Sequence, residues 1–196
     1  MDVPIEPVGP EAAPALAAVL ARAFLQDPMV AWPMATEDDL EARLRTMFEI
    51  VDGAYAPEGW LYRVAGGLAA MTLLPPGSEA RQLELDLAAA EVVNPLTGDG
   101  GSRYGALWDW VAATMPDEPH WLLDQLAVDP TAQGRGIGGA MLRHAIACAE
   151  ADRVPLFLET AVAGNVPLYE HFGLRVMIEG DAPGGGPHIW FMRRDS

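Results

Sequence analysis

Residues 126–142 read LAVDPTAQGRGIGGAML, and this stretch decides the fold. The run Trp121 to Val128 consists of β-formers and stops at Asp129-Pro130. A short polar turn leads to Gln133-Gly134-Arg135-Gly136-Ile137-Gly138, where an apolar pattern of helical spacing begins. Strand, glycine-rich turn and helix start, in that order, build an anion site. The first N–H groups of a helix lack intrahelical partners, and the helix dipole adds partial positive charge at that end. Glycines let the main chain approach a phosphate with no Cβ in the way. A plain tight turn would explain one glycine pair; the whole string points to a bound anion.

A competing motif overlaps it. Gly134-x-Gly136-x-x-Gly139 satisfies the dinucleotide fingerprint, with Glu159 about 20 residues on, where a ribose-binding acid belongs. That fingerprint follows its strand directly, whereas Asp129 to Gln133 intervene here. It also lies two-thirds along the chain, which leaves too little sequence for both halves of a full Rossmann sheet.

Outward from this stretch the chain alternates. After it come a helix (about 136–152), a strand (Pro155 to Thr160), a short helix (Val166 to His171) and a strand (Leu174 to Glu179). A loop with Gly184-Gly185-Gly186 and a last strand (His188 to Arg193) follow. Before it, Ile5 to Val8 reads as a strand. Leu16, Val19, Leu20, Ala23 and Phe24 form a helical stripe that stops at Asp27-Pro28. Leu40, Leu44, Met47, Phe48 and Val51 mark a second helix. Trp60 to Ala65 and Leu68 to Leu74 form a hairpin through Gly66-Gly67. Residues 78–118 predict two helices, Ser78 to Ala90 and Ser102 to Met115, joined by a glycine-rich connection.

The chain has 196 residues, of which 51% are hydrophobic, enough for one globular domain with a sizeable core. Its 28 acids face 12 arginines and no lysine, a net charge of −16. That sign disfavours nucleic acid and anionic membranes as partners and suits cationic substrates. No basic leader or long apolar segment is evident, so a cytoplasmic location is expected. The single cysteine, Cys148, excludes an intrachain disulfide and reads as a small buried helix residue. The four histidines are scattered, and no metal site is expected.

The string Gln133-x-x-Gly136-x-Gly138 resembles the pyrophosphate loop of the GNAT acetyltransferase superfamily, Q/R-x-x-G-x-G/A. Leu126-Ala127-Val128-Asp129-Pro130 is similar to that family's preceding strand and turn. A second match is Asn165-Val166-Pro167-Leu168-Tyr169-Glu170-His171-Phe172-Gly173-Leu174, which resembles the signature N-x-x-x-Y-E-x-x-G-F. Leu174 departs from its final Phe. The resemblance implies a single GNAT domain over 1–196, specific over 120–178. It implies an α/β (α+β) fold with a mixed sheet of six to seven strands, flanked by helices and splayed at the cofactor site. It implies acetyl-CoA as cofactor, with the pantetheine arm along Leu126, Ala127 and Val128. Gln133, Gly134, Arg135, Gly136, Ile137, Gly138 and Gly139 would hold the pyrophosphate, and Asn165 and Tyr169 would touch the cofactor. Within the superfamily, 120–178 looks most like the puromycin acetyltransferase-like, antibiotic-modifying branch. The family pattern does not decode 78–118.

The implied activity is direct acetyl transfer to a primary amine of a small, cationic acceptor. Such a reaction needs a base for the amine and a proton for the leaving thiolate. By the resemblance Tyr169 is that acid; as a residue alone it also reads as a core aromatic. Asp124 and Glu159 rank level as base, with His120 nearby and a water relay as the alternative. By strand alternation Asp124 shares a face with Leu122 and Leu126, unless a bulge intervenes. Asn165 suits an N-cap of the short helix. Phe24, Asp27, Trp32 and Met34 are candidates for the acceptor wall, bordered by Asp181 and the Gly184–Gly186 loop. A non-catalytic acyl-CoA sensor and a protein N-terminal or lysine acetyltransferase remain alternatives, and a homodimer is common in such proteins.

Overall fold

Alternation in the central strands is what gives the sheet two apolar faces. The computed structural model describes residues 3–196. Its strands are β1 (Ile5–Pro7), β2 (Leu61–Val64), β3 (Ala69–Leu74), β4 (Trp121–Val128), β5 (Leu156–Thr160), β6 (Arg175–Asp181) and β7 (His188–Arg194). They form one mixed sheet in the order β1-β2-β3-β4-β5-β7-β6. The helices are α1 (Ala13–Phe24), α2 (Pro28–Ala31), α3 (Leu40–Tyr55), α4 (Glu79–Val93), α5 (Ser102–Thr114), α6 (Ile137–Asp152) and α7 (Val166–His171). The expected elements are present, including both helices of 78–118.

On one face Met71, Leu73, Leu123, Leu156 and Leu158 pack under α6, through Ile137, Met141, Leu142, Ala145 and Ala149. On the other, Leu61, Ala70 and Ala127 meet α1 and α3. Leu74, Leu122 and Phe157 pack against Tyr55 of α3 and Leu85 of α4, while Ile189 and Phe191 pack under α5. The layer order is therefore α6 and α7, sheet, then α1 to α5.

Two irregularities position the site. First, β4 and β5 run parallel but pair only at Trp121–Leu156 and Leu122–Phe157. Beyond Leu122 the strands splay, and β4 keeps only β3 as a partner among the described residues. Second, β3 pairs Leu73 with Leu123 but Thr72 with Gln125. Asp124 is thus the extra residue of a β-bulge. The simple alternation expected above is corrected: Leu123 and Leu126 both face α6, and Asp124 no longer shares a face with Leu126.

The stop at Asp27-Pro28 also starts something. The Asp27 carboxylate accepts a hydrogen bond from the Met29 N–H at 2.8 Å, with Pro28 in the first turn of α2. A 3₁₀ turn, Trp32–Met34, continues it. Elements this short carry no readable periodicity.

Candidate active site

The turn into α6 is shaped by its glycines. Gly134 and Gly136 have φ of +75° and +79°, a region other residues occupy at a cost, and no atom lies within 4 Å of where their Cβ would be. The space above the turn is therefore an open cradle facing the N-terminus of a 16-residue helix. The Arg135 guanidinium donates to the Thr131 carbonyl at 2.7 Å, and the Gln133 amide to the Val128 carbonyl at 3.3 Å, so both side chains brace the loop. Gly139 serves packing: a Cβ there would come within 3.2 Å of Phe172.

Asp129 staples this turn to α1. One carboxylate oxygen accepts from the Thr131 N–H at 2.9 Å and from its hydroxyl at 2.6 Å; the other accepts from Arg22 at 2.5 Å. These bonds, those of Thr131 first, hold the Asp129 acid down to about 2. The Arg22–Asp129 pair spans 107 residues and brings the end of α1 over the glycine turn. The sequence reading did not find it, because nothing local links the two positions.

A groove of about 590 Å³ follows from this arrangement. Leu126, Ala127 and Val128 line one side, and the glycine turn closes one end. Asn165, Leu168 and Tyr169 of the α7 segment, with Phe24 and Asp27, complete the lining. The cofactor-binding candidates of the sequence thus come together around one cavity, although Arg135 acts through Thr131. Asn165 occupies the N-cap position of α7, but its side chain makes no capping bond, which corrects the expected cap. Tyr169 is 8% exposed and lines the groove; burial, then Asp27 and Glu159, push its phenol up to about 12. It therefore holds its proton through the neutral range and can act only as a donor there. Trp32 lies elsewhere, in a second hollow with Gln26, Thr36 and Glu37, under the Arg103 guanidinium at 5.4 Å and against Gly186. Met34 is wholly buried in the core of α1 and α3.

At the inner end of the splay stand Asp124 and Glu159. Burial first, and Asp86 next, push Asp124 up to about 7. Burial and the Asp124 charge raise Glu159 well above the ordinary carboxylate range. Both keep partial contact with solvent although protein surrounds them, as residues lining a recess do. His120 is tied to the Glu118 carbonyl at 2.7 Å and set edge-on to Phe157, where β4 and β5 still pair. Cys148 is half-buried rather than buried; burial raises its thiol, as does Asp152.

The recess continues into residues the sequence reading missed. Asp52 and Tyr55 of α3, Thr72 of β3, Asp86 of α4 and Gln125 of β4 gather behind the bulge. The Tyr55 hydroxyl donates to Asp86. Asp52 is wholly buried, and burial followed by the Asp124 charge raises it well above its usual range. A signal for Asp52 existed: it continues the i, i+4 row Leu44, Phe48 into the core, where a carboxylate needs a reason.

The sequence profile of the acetyltransferase (GNAT) family matches residues 79–174, from the start of α4 to just past α7. The chain is a GNAT-superfamily acetyltransferase. It is 27% identical over 169 residues to an uncharacterized N-acetyltransferase of Schizosaccharomyces pombe, covering 80% of this chain and 68% of that one. Its fold is similar to that of a histone acetyltransferase HPA2 and related acetyltransferase from Corynebacterium glutamicum (TM-score 0.69, 21% identity, 100% and 98% of the two chains covered). It is also similar to a polyamine N-acetyltransferase of Drosophila melanogaster (TM-score 0.67, 13% identity, both chains fully covered). The GNAT acetyltransferase therefore uses acetyl-CoA, and its seven-stranded splayed sheet is the expected GNAT architecture. No helix among its described residues is long and apolar enough to cross a membrane.

Proposed function

We propose that this GNAT acetyltransferase, acting as one domain, transfers an acetyl group from acetyl-CoA directly to a primary amine of a small, cationic acceptor. The observation that carries this reading is the splay of β4 from β5, beside which one groove holds both the anion cradle and Tyr169. The residues fit the cofactor: the positive-φ turn leaves open space for a pyrophosphate, and the free edge of β4 offers main-chain groups to a pantetheine arm. Bound acetyl-CoA supplies the activated acetyl as a thioester.

The chain's own groups then divide the proton work. Asp124, with its acid near neutrality, is suited to take a proton from the incoming ammonium, directly or through water, and Glu159 shares that proton. The amine nitrogen forms the C–N bond as the C–S bond breaks. Tyr169 gives its proton to the departing sulfur and is restored by the second proton that leaves the nitrogen, through water, so the net products are an amide, a thiol and the proton taken by Asp124. Phe24 and Asp27 wall the groove above the reacting end. The net charge of −16 favours approach of a cation. The polyamine and agmatine acetyltransferases among the fold neighbours, and the likeness of 120–178 to the puromycin acetyltransferase-like branch, support a small amine acceptor.

The test is a calorimetric titration with acetyl-CoA, with NAD as control, followed by thiol release on adding amines. Micromolar acetyl-CoA binding with amine-dependent thiol release is expected. NAD binding in its place would sink the reading; acetyl-CoA binding without thiol release under any amine would favour a sensor.

A further inference from the structure

A second hollow adjoins the groove, and the two meet at Gln26. The groove that holds the glycine turn and Tyr169 has Asp27 as the only charged side chain in its lining. The second hollow, also about 590 Å³, is bordered by charges of both signs: Arg103 of α5 and Glu37 of the connection before α3. Gln26 lines both, so a molecule that extends from the groove past Gln26 enters the hollow. Leu25, Trp32 and Leu40 give that hollow an apolar wall.

Arg103 is oriented but not used up. Its guanidinium lies over Trp32, 5.4 Å from the ring centroid. Trp32 is in turn backed by Gly186, where an added Cβ would stand 3.2 Å from the indole. Among the described residues the only carboxylate within 4 Å of the guanidinium is Asp99, 3.6 Å from Nε and beyond hydrogen-bond reach. The Arg103 side chain donates no hydrogen bond to these residues, unlike Arg22, Arg81 and Arg135. A guanidinium stacked in this way, with its Nη groups free, fits a planar carboxylate. Glu37 is exposed, and its carboxylate has no ion pair or hydrogen bond among the described residues. Arg103 and Glu37 thus border one hollow without pairing with each other. Their elements are seated closely: the Gly98 N–H, in the connection from α4 to α5, donates to the Met34 carbonyl at 2.7 Å. A Cβ on Gly98 would stand 2.3 Å from the Ala35 carbonyl oxygen, so only glycine permits this approach.

An unpaired cation and an unpaired anion on one hollow match a ligand that presents the opposite pair, a carboxylate and an ammonium on one carbon. We infer that the acceptor is a free basic α-amino acid. Its α-carboxylate sits on Arg103, its α-ammonium on Glu37, its aliphatic side chain runs past Gln26, and its terminal amine lies in the groove with Asp27 and Tyr169. The terminal amine rests on the acetyl-transfer reading above; the amino-acid head rests on the hollow alone. Such a molecule keeps one net positive charge, which suits the net charge of −16. The terminal nitrogen forms the C–N bond as the thioester C–S bond breaks. Its ammonium gives up two protons, one to the base and one that replaces the proton passed to sulfur, while the α-ammonium on Glu37 stays unreacted. The hollow thereby selects which nitrogen is acetylated, and α5 of the 78–118 segment acquires a role.

The test is thiol release from acetyl-CoA by the full chain with 2,4-diaminobutanoate, ornithine and lysine, each beside the diamine that lacks its carboxylate. For at least one side-chain length kcat/KM is expected to be about tenfold or more higher for the amino acid, the effect of one charge-assisted contact. The product should carry its acetyl group on the side-chain nitrogen, read by mass spectrometry. Arg103→Gln is expected to bring the ratio close to one, and blocking both α-groups of the preferred amino acid should cost a similar factor. Diamines as efficient as the amino acids at every length, a preference that survives Arg103→Gln, or acetylation of the α-nitrogen overturns the inference. If Arg103→Gln does not fold, Glu37→Gln, at an exposed position, decides in its place by the same ratio. Calorimetry on the CoA-saturated chain separates this inference from the acetyl-transfer reading. Preferential binding of an amino acid without thiol release would sink acetyl transfer and leave the hollow assigned. Thiol release at equal efficiency with amino acids and diamines would do the reverse, and neither binding nor release with any of them overturns the inference.

Discussion

Replacing Gly136 by alanine tests the cradle at its most constrained point. Gly136 has φ +79° and precedes Ile137, the first residue of α6. Nothing lies within 4 Å of the added methyl, so no clash contributes and the cost is that of the backbone alone, about 1–2 kcal/mol. The helix cannot shift to relieve it, because Ile137, Met141 and Leu142 are buried under β3 and β4. Either the turn keeps its shape and the fold is strained, or the turn relaxes and its amides leave the ligand. The first route lowers Tm by roughly 2–8 °C for a chain of this size. The second weakens acetyl-CoA by about 5–30-fold. Scanning calorimetry and acetyl-CoA titration on one preparation should together account for that 1–2 kcal/mol. Gly138→Ala is the control: φ there is not positive, and its Cβ would sit at ordinary contact, 3.7 Å from Leu126 and 3.8 Å from Val128. Alanine is also the better helix former by about 1 kcal/mol, so Gly138→Ala should bind normally with an equal or higher Tm. Native affinity and native Tm in Gly136→Ala would refute the reasoning, as would equal losses in both variants.

Tyr169→Phe should lower kcat by about 100-fold or more with acetyl-CoA affinity unchanged, read by thiol release; full kcat would remove Tyr169 as the proton donor. Burial raises Asp27, Asp52, Asp86, Asp124 and Glu159 above their unfolded values. The folded chain therefore holds protons that the unfolded chain has already lost. Their contribution is full below about pH 4 and is lost as pH rises, for Asp124 through about 7. Ligand-free Tm should fall from pH 5 to pH 8, and Asp124→Asn should flatten part of that slope; a rising Tm would contradict it. If Asp124 is the base, kcat/KM should climb through about pH 7 in the native enzyme and lose that inflection in Asp124→Asn. Arg22→Ala should weaken acetyl-CoA binding by loosening the glycine turn, although Arg22 need not touch the ligand; unchanged affinity would make the Asp129 pair purely structural.

What could be read in the sequence was local. The positive-φ turn shows as Gly134 and Gly136, and the buried stripes of α1, α3 and α6 show as periodic apolar residues, because each needs only neighbours within a few positions. The bulge at Asp124 has no comparable signature, since it exists only in register with Thr72 and Leu73 of another strand. That single residue turned the expected alternation around and placed Asp124 with Gln125 toward α3. The Arg22–Asp129 staple and the Tyr55–Asp86 bond were invisible for the same reason. Residues 78–118 could be read as helices, but not as the wall that brings Asp86 and Tyr104 to the recess. Trp32, chosen for its aromaticity and position near the first helices, belongs to a different hollow.

The electrostatics of the site resolve an apparent conflict. A chain of net charge −16 must hold an anionic cofactor and a cationic acceptor within one splay. The sheet separates the two tasks. Leu126 and Val128, together with the α6 helix start, face the layer of the glycine turn, where main-chain N–H groups suit an anion. Asp124, Glu159 and Asp52 face the opposite layer, toward α3 and α4. Tyr169 stands where the two zones meet, and burial, then its acidic neighbours Asp27 and Glu159, keep its proton in place until a thiolate takes it. The formal charge also overstates the field an anion meets, because burial favours the neutral form of Asp52, Asp124 and Glu159. A cation beside them favours their charged form, so the attraction strengthens as the acceptor arrives.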